Sequence, residues 1–203
     1  MSQQIYTLQR QSQLPNVIFA LLIINGLAFA LTVLGFVPSS LALWPVDSSL
    51  FAPWQLLTYG FLHGGVGHIF FNMFGLWMFG RDLEHQFGSQ RFLIYYLTCV
   101  VGAGLVQLLV AAVQGGIYPT VGASGGVFGI LLAYGMSYPN RTILLLIPPI
   151  PMPAKYMVIL YGILELYLGV SGNAPGVANF AHLGGMLFGL GLLLYWRNQR
   201  RRR

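Results

Sequence analysis

Apolar residues occur in long runs along this chain, and the polar positions gather between the runs instead of alternating within them. Such runs predict membrane-crossing helices, because a hydrocarbon core of ~30 Å takes about 20 apolar residues at a rise of ~1.5 Å each. A membrane barrel would show short alternating segments. The pattern predicts six spans, at about 17–36, 67–87, 92–113, 124–138, 156–170 and 177–196. The fourth is short for the thickness it has to cross. The expected fold is all-α, a polytopic bundle of six transmembrane helices forming a single domain over 1–203. Residues 1–15 form a short polar N-terminus, 37–66 a long outer loop and 197–203 a basic tail.

Composition sharpens this picture. The chain is 56% hydrophobic and 7% charged, whereas a soluble domain carries about 25% charged residues. So few charges cannot cover a water-facing surface, which excludes a soluble globular protein. The polar start "MSQQIYTLQRQSQLPN" lacks the basic-then-apolar layout of a cleaved signal, and the run after it is long for a signal core. That run reads as a retained first span. The single cysteine, Cys99, cannot make an intrachain disulfide and reads as core.

The formal net charge of +6 is not a nucleic-acid signature, because the basic residues are dispersed apart from the terminal cluster. Arg10 precedes span one, Arg81 and Arg91 flank the second connection, Arg141 and Lys155 lie in the fourth, and Arg197 and Arg200 to Arg203 follow span six. With six spans all ten basic residues fall on one side, and the positive-inside rule puts both termini in the cytoplasm. The tail "RNQRRRR" then reads as an anchor with affinity for anionic lipid. The tryptophans and prolines of the outer loop suit a segment lying in the membrane interface. In the proline-broken inner loop "NRTILLLIPPIPMPAK", "TILLLI" is too short to span and is expected to lie against the membrane or the bundle.

In this topology the even-numbered spans all descend from the outside, and each begins with unusual polar residues. Span two opens "GGVGHIFFN" with His68 and Asn72, span four with Ser124, and span six, "GVANFAHLGGMLFG", carries His182. Lipid-buried polar groups are expensive and face a partner or a wet cavity, so three such helix starts at one depth predict a hydrated pocket open to the outside. His68 and Asn72, four apart, share a helix face. Ser124 sits at a helix start, where the first N–H groups lack partners and the dipole favours negative charge. Gly122 lets the chain approach closely before the serine. These parts read as a nucleophile, Ser124, within an oxyanion hole of His68, Asn72 and the Ser124 backbone, with His182 as general base.

No acidic residue completes a triad at this level of reading. Asp82 and Glu84 lie at the cytoplasmic end, Asp47 is in the outer loop, and nothing in the sequence aims Glu165 at His182. A Ser–His dyad is expected, with the imidazole oriented by packing against Phe128. Gly125, Gly129 and Ala133, and Gly185 and Gly189, form small-residue faces that let two helices meet closely. His63 reads as a structural donor where the outer loop joins span two, and His85 as a solvated residue. No metal site is expected, since His63, His68 and His182 lack a His–Glu–x–x–His motif and a placed carboxylate.

These motifs resemble the rhomboid intramembrane serine proteases of the minimal six-span type. The resemblance covers about residues 52–192: His–x–x–x–Asn on span two (His68, Asn72), Gly–x–Ser–Gly opening span four (Gly122 to Gly125) and Ala–His–x–x–Gly–x–x–x–Gly on span six (Ala181 to Gly189). It implies Ser124 as nucleophile, His182 as base and an oxyanion hole from His68, Asn72 and backbone N–H groups. It also implies structural positions at Glu84 and Gly88, and matches His63 to a further histidine seen in many members. One departure is Trp54–Gln55, where the family usually carries Trp–Arg, a structural position in the loop.

The implied activity is cleavage of transmembrane protein substrates, which enter sideways from the lipid and are cut via an acyl-enzyme, with a small residue before the scissile bond. No cofactor is implied; the expected partners are substrates and membrane lipids. A bacterial inner membrane is expected, with the site opening outward. The rival readings are a catalytically silent rhomboid-like binder in quality control, which would lack the serine or histidine, and a small transporter, which would need a polar path on the inner side.

Overall fold

The structure is a computed structural model that describes residues 16–115, 118–144, 149–174 and 176–202. Among the described residues seven α-helices run in order: α1 Asn16–Val33, α2 Gln55–Thr58, α3 Val66–Phe87, α4 Ser89–Gln114, α5 Ser124–Ser137, α6 Ala154–Ser171 and α7 Asn179–Arg201. Each apolar run seen in the sequence is a helix, with ends shifted by a few residues. The largest shift is in α7, which starts two residues later than expected and continues through the basic tail to Arg201. Among the described residues four helices are long and apolar enough to cross a membrane, α1, α4, α6 and α7, and α5 is a shorter apolar helix.

Polar and apolar residues are distributed in reverse of a water-soluble core. Ile23, Ile24, Leu27 and Leu31 on α1 and Ile159, Leu160, Ile163 and Leu164 on α6 are exposed, while Asn25, Gln55, Asn72, Glu84, Gln107, Glu165, Asn179 and His182 are buried. Lipid is the solvent in which that distribution is stable, since apolar surface costs nothing there and unpaired polar groups cost several kcal/mol, on the order of 2–7 each. The molecule is an integral membrane helix bundle.

The centre of the bundle is where α4, α5 and α7 meet. A Cβ on Gly185 of α7 would overlap the backbone of Gly125 on α5, and one on Gly129 would meet Cys99 of α4. Tyr95 and Tyr59, both buried, donate to the carbonyls of Gly129 (2.8 Å) and Val100 (2.6 Å), which ties α4 to α5 and to the outer loop.

At one end Glu84 of α3 accepts from the Val17 and Ile18 N–H groups at the start of α1 (3.0 and 2.9 Å) and from Ser89 Oγ (2.6 Å). A carboxylate there satisfies donors that have no intrahelical partner and complements the helix dipole. The structural position implied for Glu84 thus has a specific content. At the same end Arg141 pairs with Asp82, and Arg81, Arg91 and Lys155 lie over the rings of Trp77, Trp196 and Tyr156.

Two connections carry structure that the sequence pattern did not specify. The inner loop forms a two-stranded antiparallel ladder, β1 Thr142–Leu144 with β2 Pro151–Pro153, and buries Ile143. Residues 145–148 of "TILLLI" and its neighbour lie outside the described residues. Prolines tolerate edge pairing, which is how a proline-rich segment comes to be paired. In the outer loop the Trp–Gln departure does not leave the loop untied. Gln55 is fully buried, donates to Ser40 O (2.9 Å) and Leu50 O (2.7 Å), and accepts from Trp44 N (3.1 Å). A bridge between Leu43 and Thr120 then fastens this loop to the segment leading into α5.

Candidate active site

The helices α3, α5 and α7 begin at the same end of the bundle, opposite the Glu84 cluster. A cavity of about 830 Å³ lies among their first turns and is lined by His68, Gly122, Ser124 and His182. Of the residues singled out in the sequence, Ser124 and His182 are in direct contact. His182 Nε2 is 2.8 Å from Ser124 Oγ, across 58 residues of chain. That spacing is a hydrogen bond in which the hydroxyl donates when Nε2 carries no proton.

The serine is placed by its helix start. Gly122 has φ +136°, which L side chains rarely adopt, and a Cβ there would meet His68 Nε2 at 2.8 Å. The Gly122 N–H donates to Tyr59 O (3.0 Å), pinning the turn to the outer loop. Helix α5 then starts at Ser124 itself, so the N–H groups of its first turn have no i−4 carbonyl and face the cavity end.

The imidazole of His182 lies in the first turn of α7 and is held on three sides. The ring of Phe128, one turn below Ser124, stacks on it with centroids 4.3 Å apart and planes 4° apart. Phe128 is in turn met edge-on by Tyr161 of α6. The third contact was not read from the sequence: Nδ1 of His182 is 2.9 Å from Glu165 Oε2, and the same oxygen accepts from Asn179 Nδ2 at 2.6 Å. Both Glu165 and His182 are buried. A depth signal was present, since Glu165 stands six residues before the end of α6 and His182 four into α7. The turn between α6 and α7 therefore brings them to within about one helical turn of each other in depth, at about 1.5 Å per residue.

His68 borders the cavity, half-buried, with the Gly64 N–H directed at its Nδ1 at 3.4 Å. A donor on Nδ1 leaves the ring proton on Nε2, the atom that faces Gly122. Asn72 is buried and its Nδ2 donates to the His68 carbonyl of its own helix (2.9 Å), so one of its two amide protons is committed to backbone. Gln107 of α4 is a cavity-lining polar residue that the sequence pattern did not single out.

His63 lies where the outer loop joins α3. It is buried, and neither ring nitrogen has a hydrogen-bond partner among the described residues. Its ring meets His68 edge-on with centroids 5.1 Å apart. Burial, and then the neighbouring His68, push its pKa down to about 4. His85, at the opposite end, donates to the Arg81 carbonyl (2.8 Å).

Known proteins share sequence with this chain. The family model for the Rhomboid domain matches residues 51–199. A RHOMBOID-like protein 4 of Arabidopsis thaliana is 35% identical over 162 residues, which cover 72% of this chain and 37% of that protein. The Rhomboid protease GluP of Bacillus subtilis (strain 168) is 32% identical over 138 residues, 67% of this chain and 24% of the relative. The Rhomboid protease GlpG of Yersinia pestis (strain Pestoides F) is 30% identical over 157 residues, 75% of this chain and 51% of the relative. The chain thus spans between about a quarter and a half of the length of these relatives.

Proposed function

The chain belongs to the rhomboid family, and on that premise we propose that it is an intramembrane serine endopeptidase that cuts transmembrane segments of other membrane proteins. The observation that carries the reading is the 2.8 Å contact between Ser124 Oγ and His182 Nε2 inside the cavity. Ser124 attacks the scissile carbonyl while His182 takes its proton. The resulting oxyanion is met by the first N–H groups of α5 and by His68 Nε2–H, with Asn72 behind it. Collapse breaks the C–N bond, His182 returns the proton to the leaving amine, and water hydrolyses the acyl-enzyme.

Six spans are proposed, α1 and α3 to α7, with both termini cytoplasmic. This is supported by the described basic residues, which all fall near the ends of helices that meet at the Glu84 end. The positive-inside rule makes that end cytoplasmic, so the cavity opens to the outer side, in a bacterial inner membrane on the sequence reading. Helix α5, of 14 residues, is about 21 Å long, well short of a ~30 Å core. Its serine end therefore starts below the membrane surface, where a transmembrane segment arrives sideways. Such a substrate has to unwind to present its carbonyl, since a helix keeps each carbonyl in its own hydrogen bonds. Bare backbone and small residues (Gly122, Gly125, Ala178 and Ala181) line the cavity and suit a small side chain before the cut bond.

The test uses purified protein and a labelled single-span substrate, together with a serine-reactive fluorophosphonate. Wild type is expected to cleave and to be labelled at Ser124. Ser124→Ala and His182→Ala are expected to lose at least about 10³-fold in rate. Wild type that neither cleaves nor labels, yet still binds the substrate, would replace this reading with that of a silent binder.

A further inference from the structure

The sequence supports a two-residue serine–histidine site, but the structure surrounds His182 differently. Its two ring nitrogens have separate partners on separate helices: Nε2 meets Ser124 Oγ on α5 at 2.8 Å, and Nδ1 meets Glu165 Oε2 on α6 at 2.9 Å. We propose that Glu165 is a positioning residue that completes a Ser124–His182–Glu165 triad. This inference rests on the protease reading above.

The argument starts from the tautomer. A base must present an unprotonated Nε2 to the serine, so the single proton of neutral imidazole has to sit on Nδ1. Glu165 Oε2 is an acceptor at hydrogen-bond distance from that atom and selects that tautomer. The Asn179 amide donates to the same oxygen at 2.6 Å. That bond holds the carboxyl in place. A carboxylate placed there also stabilises the imidazolium that exists between the two proton transfers. In the first transfer the Ser124 Oγ–H proton moves to Nε2 as the Oγ–C bond forms. In the second it moves from Nε2 to the leaving amine as the C–N bond breaks. Throughout, the Nδ1 proton stays on His182, bonded to Glu165.

Other groups do not serve as alternatives. Around His182, α3 contributes His68 across the cavity, α4 the uncharged Gln107, and α5 Ser124 and the Phe128 ring. Asp82 and Glu84 are at the opposite end, engaged with Arg141 and the start of α1. Stacking on Phe128 fixes the plane of the imidazole but leaves open which nitrogen carries the proton. Glu165 supplies that choice.

The experiment compares wild type, Glu165→Gln and Glu165→Asp with the single-span substrate across pH. For Glu165→Gln we expect kcat to fall 10- to 10³-fold with KM changed less than about threefold, and the acid limb of the kcat/KM profile to move to lower pH. Glu165→Asp is expected to recover part of kcat. A Glu165→Gln enzyme with wild-type kcat and an unmoved pH profile would overturn the triad while leaving the protease reading intact. An inactive, unlabelled wild type would overturn both. Should Glu165→Gln fail to fold, the tautomer is read in Ser124→Ala protein by NMR of ¹⁵N-labelled histidine. The His182 proton on Nδ1 supports the inference and its presence on Nε2 overturns it.

Discussion

A Cβ placed on Gly185 would overlap the carbonyl of Gly125. The two helices that carry His182 and Ser124 thus touch backbone to backbone, three residues below one reactive group and one below the other. No side chain intervenes that could move aside. Gly185→Ala is expected to separate α5 from α7, lower stability by about 3 kcal/mol and abolish cleavage. The checks are a thermal melt in detergent and the fluorophosphonate label on Ser124. An Ala variant with wild-type melting and labelling would show that the contact is not what sets the 2.8 Å spacing.

Gln55 holds the outer loop from inside, with three hydrogen bonds to the backbone of Ser40, Trp44 and Leu50. Gln55→Leu keeps most of its volume and removes all three. Each buried backbone group left without a partner costs about 1–3 kcal/mol, so the loop is expected to open even if the helices remain. Hydrogen exchange should then speed up at Trp44 first, with α4 and α7 unchanged. Because the Leu43–Thr120 bridge leads into Gly122, kcat should fall as well.

Glu84 ties the start of α1 to α3 through charge-assisted bonds to Val17 and Ile18 N–H. Helix α1 buries few side chains, among them Ile18 and Leu21, so this anchor carries much of its attachment. Glu84→Ala is expected to destabilise the protein by about 2–3 kcal/mol. Protease cutting between α1 and α2 should rise. Ser124 labelling should persist, because the site lies at the far end of the bundle.

How much of this was visible in the sequence follows from what one-dimensional patterns encode. Hydrophobic run length places helices, and it placed α1 and α3 to α7 to within a few residues, because lipid imposes the same requirement on every run. Depth is also encoded: the distance of Ser124 and His182 from their helix starts brings them to one level. Rotation about the helix axis is not encoded when the whole circumference is apolar, and α6 is such a helix. That is why Glu165 could be assigned a depth but not a partner. Gln55 was hidden for another reason. Its partners are carbonyl and N–H groups of a loop, and backbone groups carry no residue-specific signal. The β1–β2 ladder was missed because prolines argue against strands except at edges, and a two-stranded ladder consists of edges.

His63 gives a prediction with a definite sign. It is buried without a hydrogen-bond partner among the described residues, and its pKa is pushed down to about 4, first by burial and then by His68. An unfolded histidine titrates near ~6.5. Between these values the unfolded chain binds a proton that the folded protein refuses. The stability contributed by neutral His63 is therefore fully present above about pH 6.5 and is lost as pH falls toward 4. Thermal melts from pH 7 to 4.5 should show a midpoint that drops by several degrees. His63→Leu keeps an apolar ring-sized filler against His68 and has nothing to protonate, so its midpoint should fall less over the same range. The comparison is made as a difference of slopes, which cancels the contributions common to both proteins. Equal slopes would mean that His63 is free to take up a proton in the folded state, and that the buried, unpartnered environment around it relaxes at no cost.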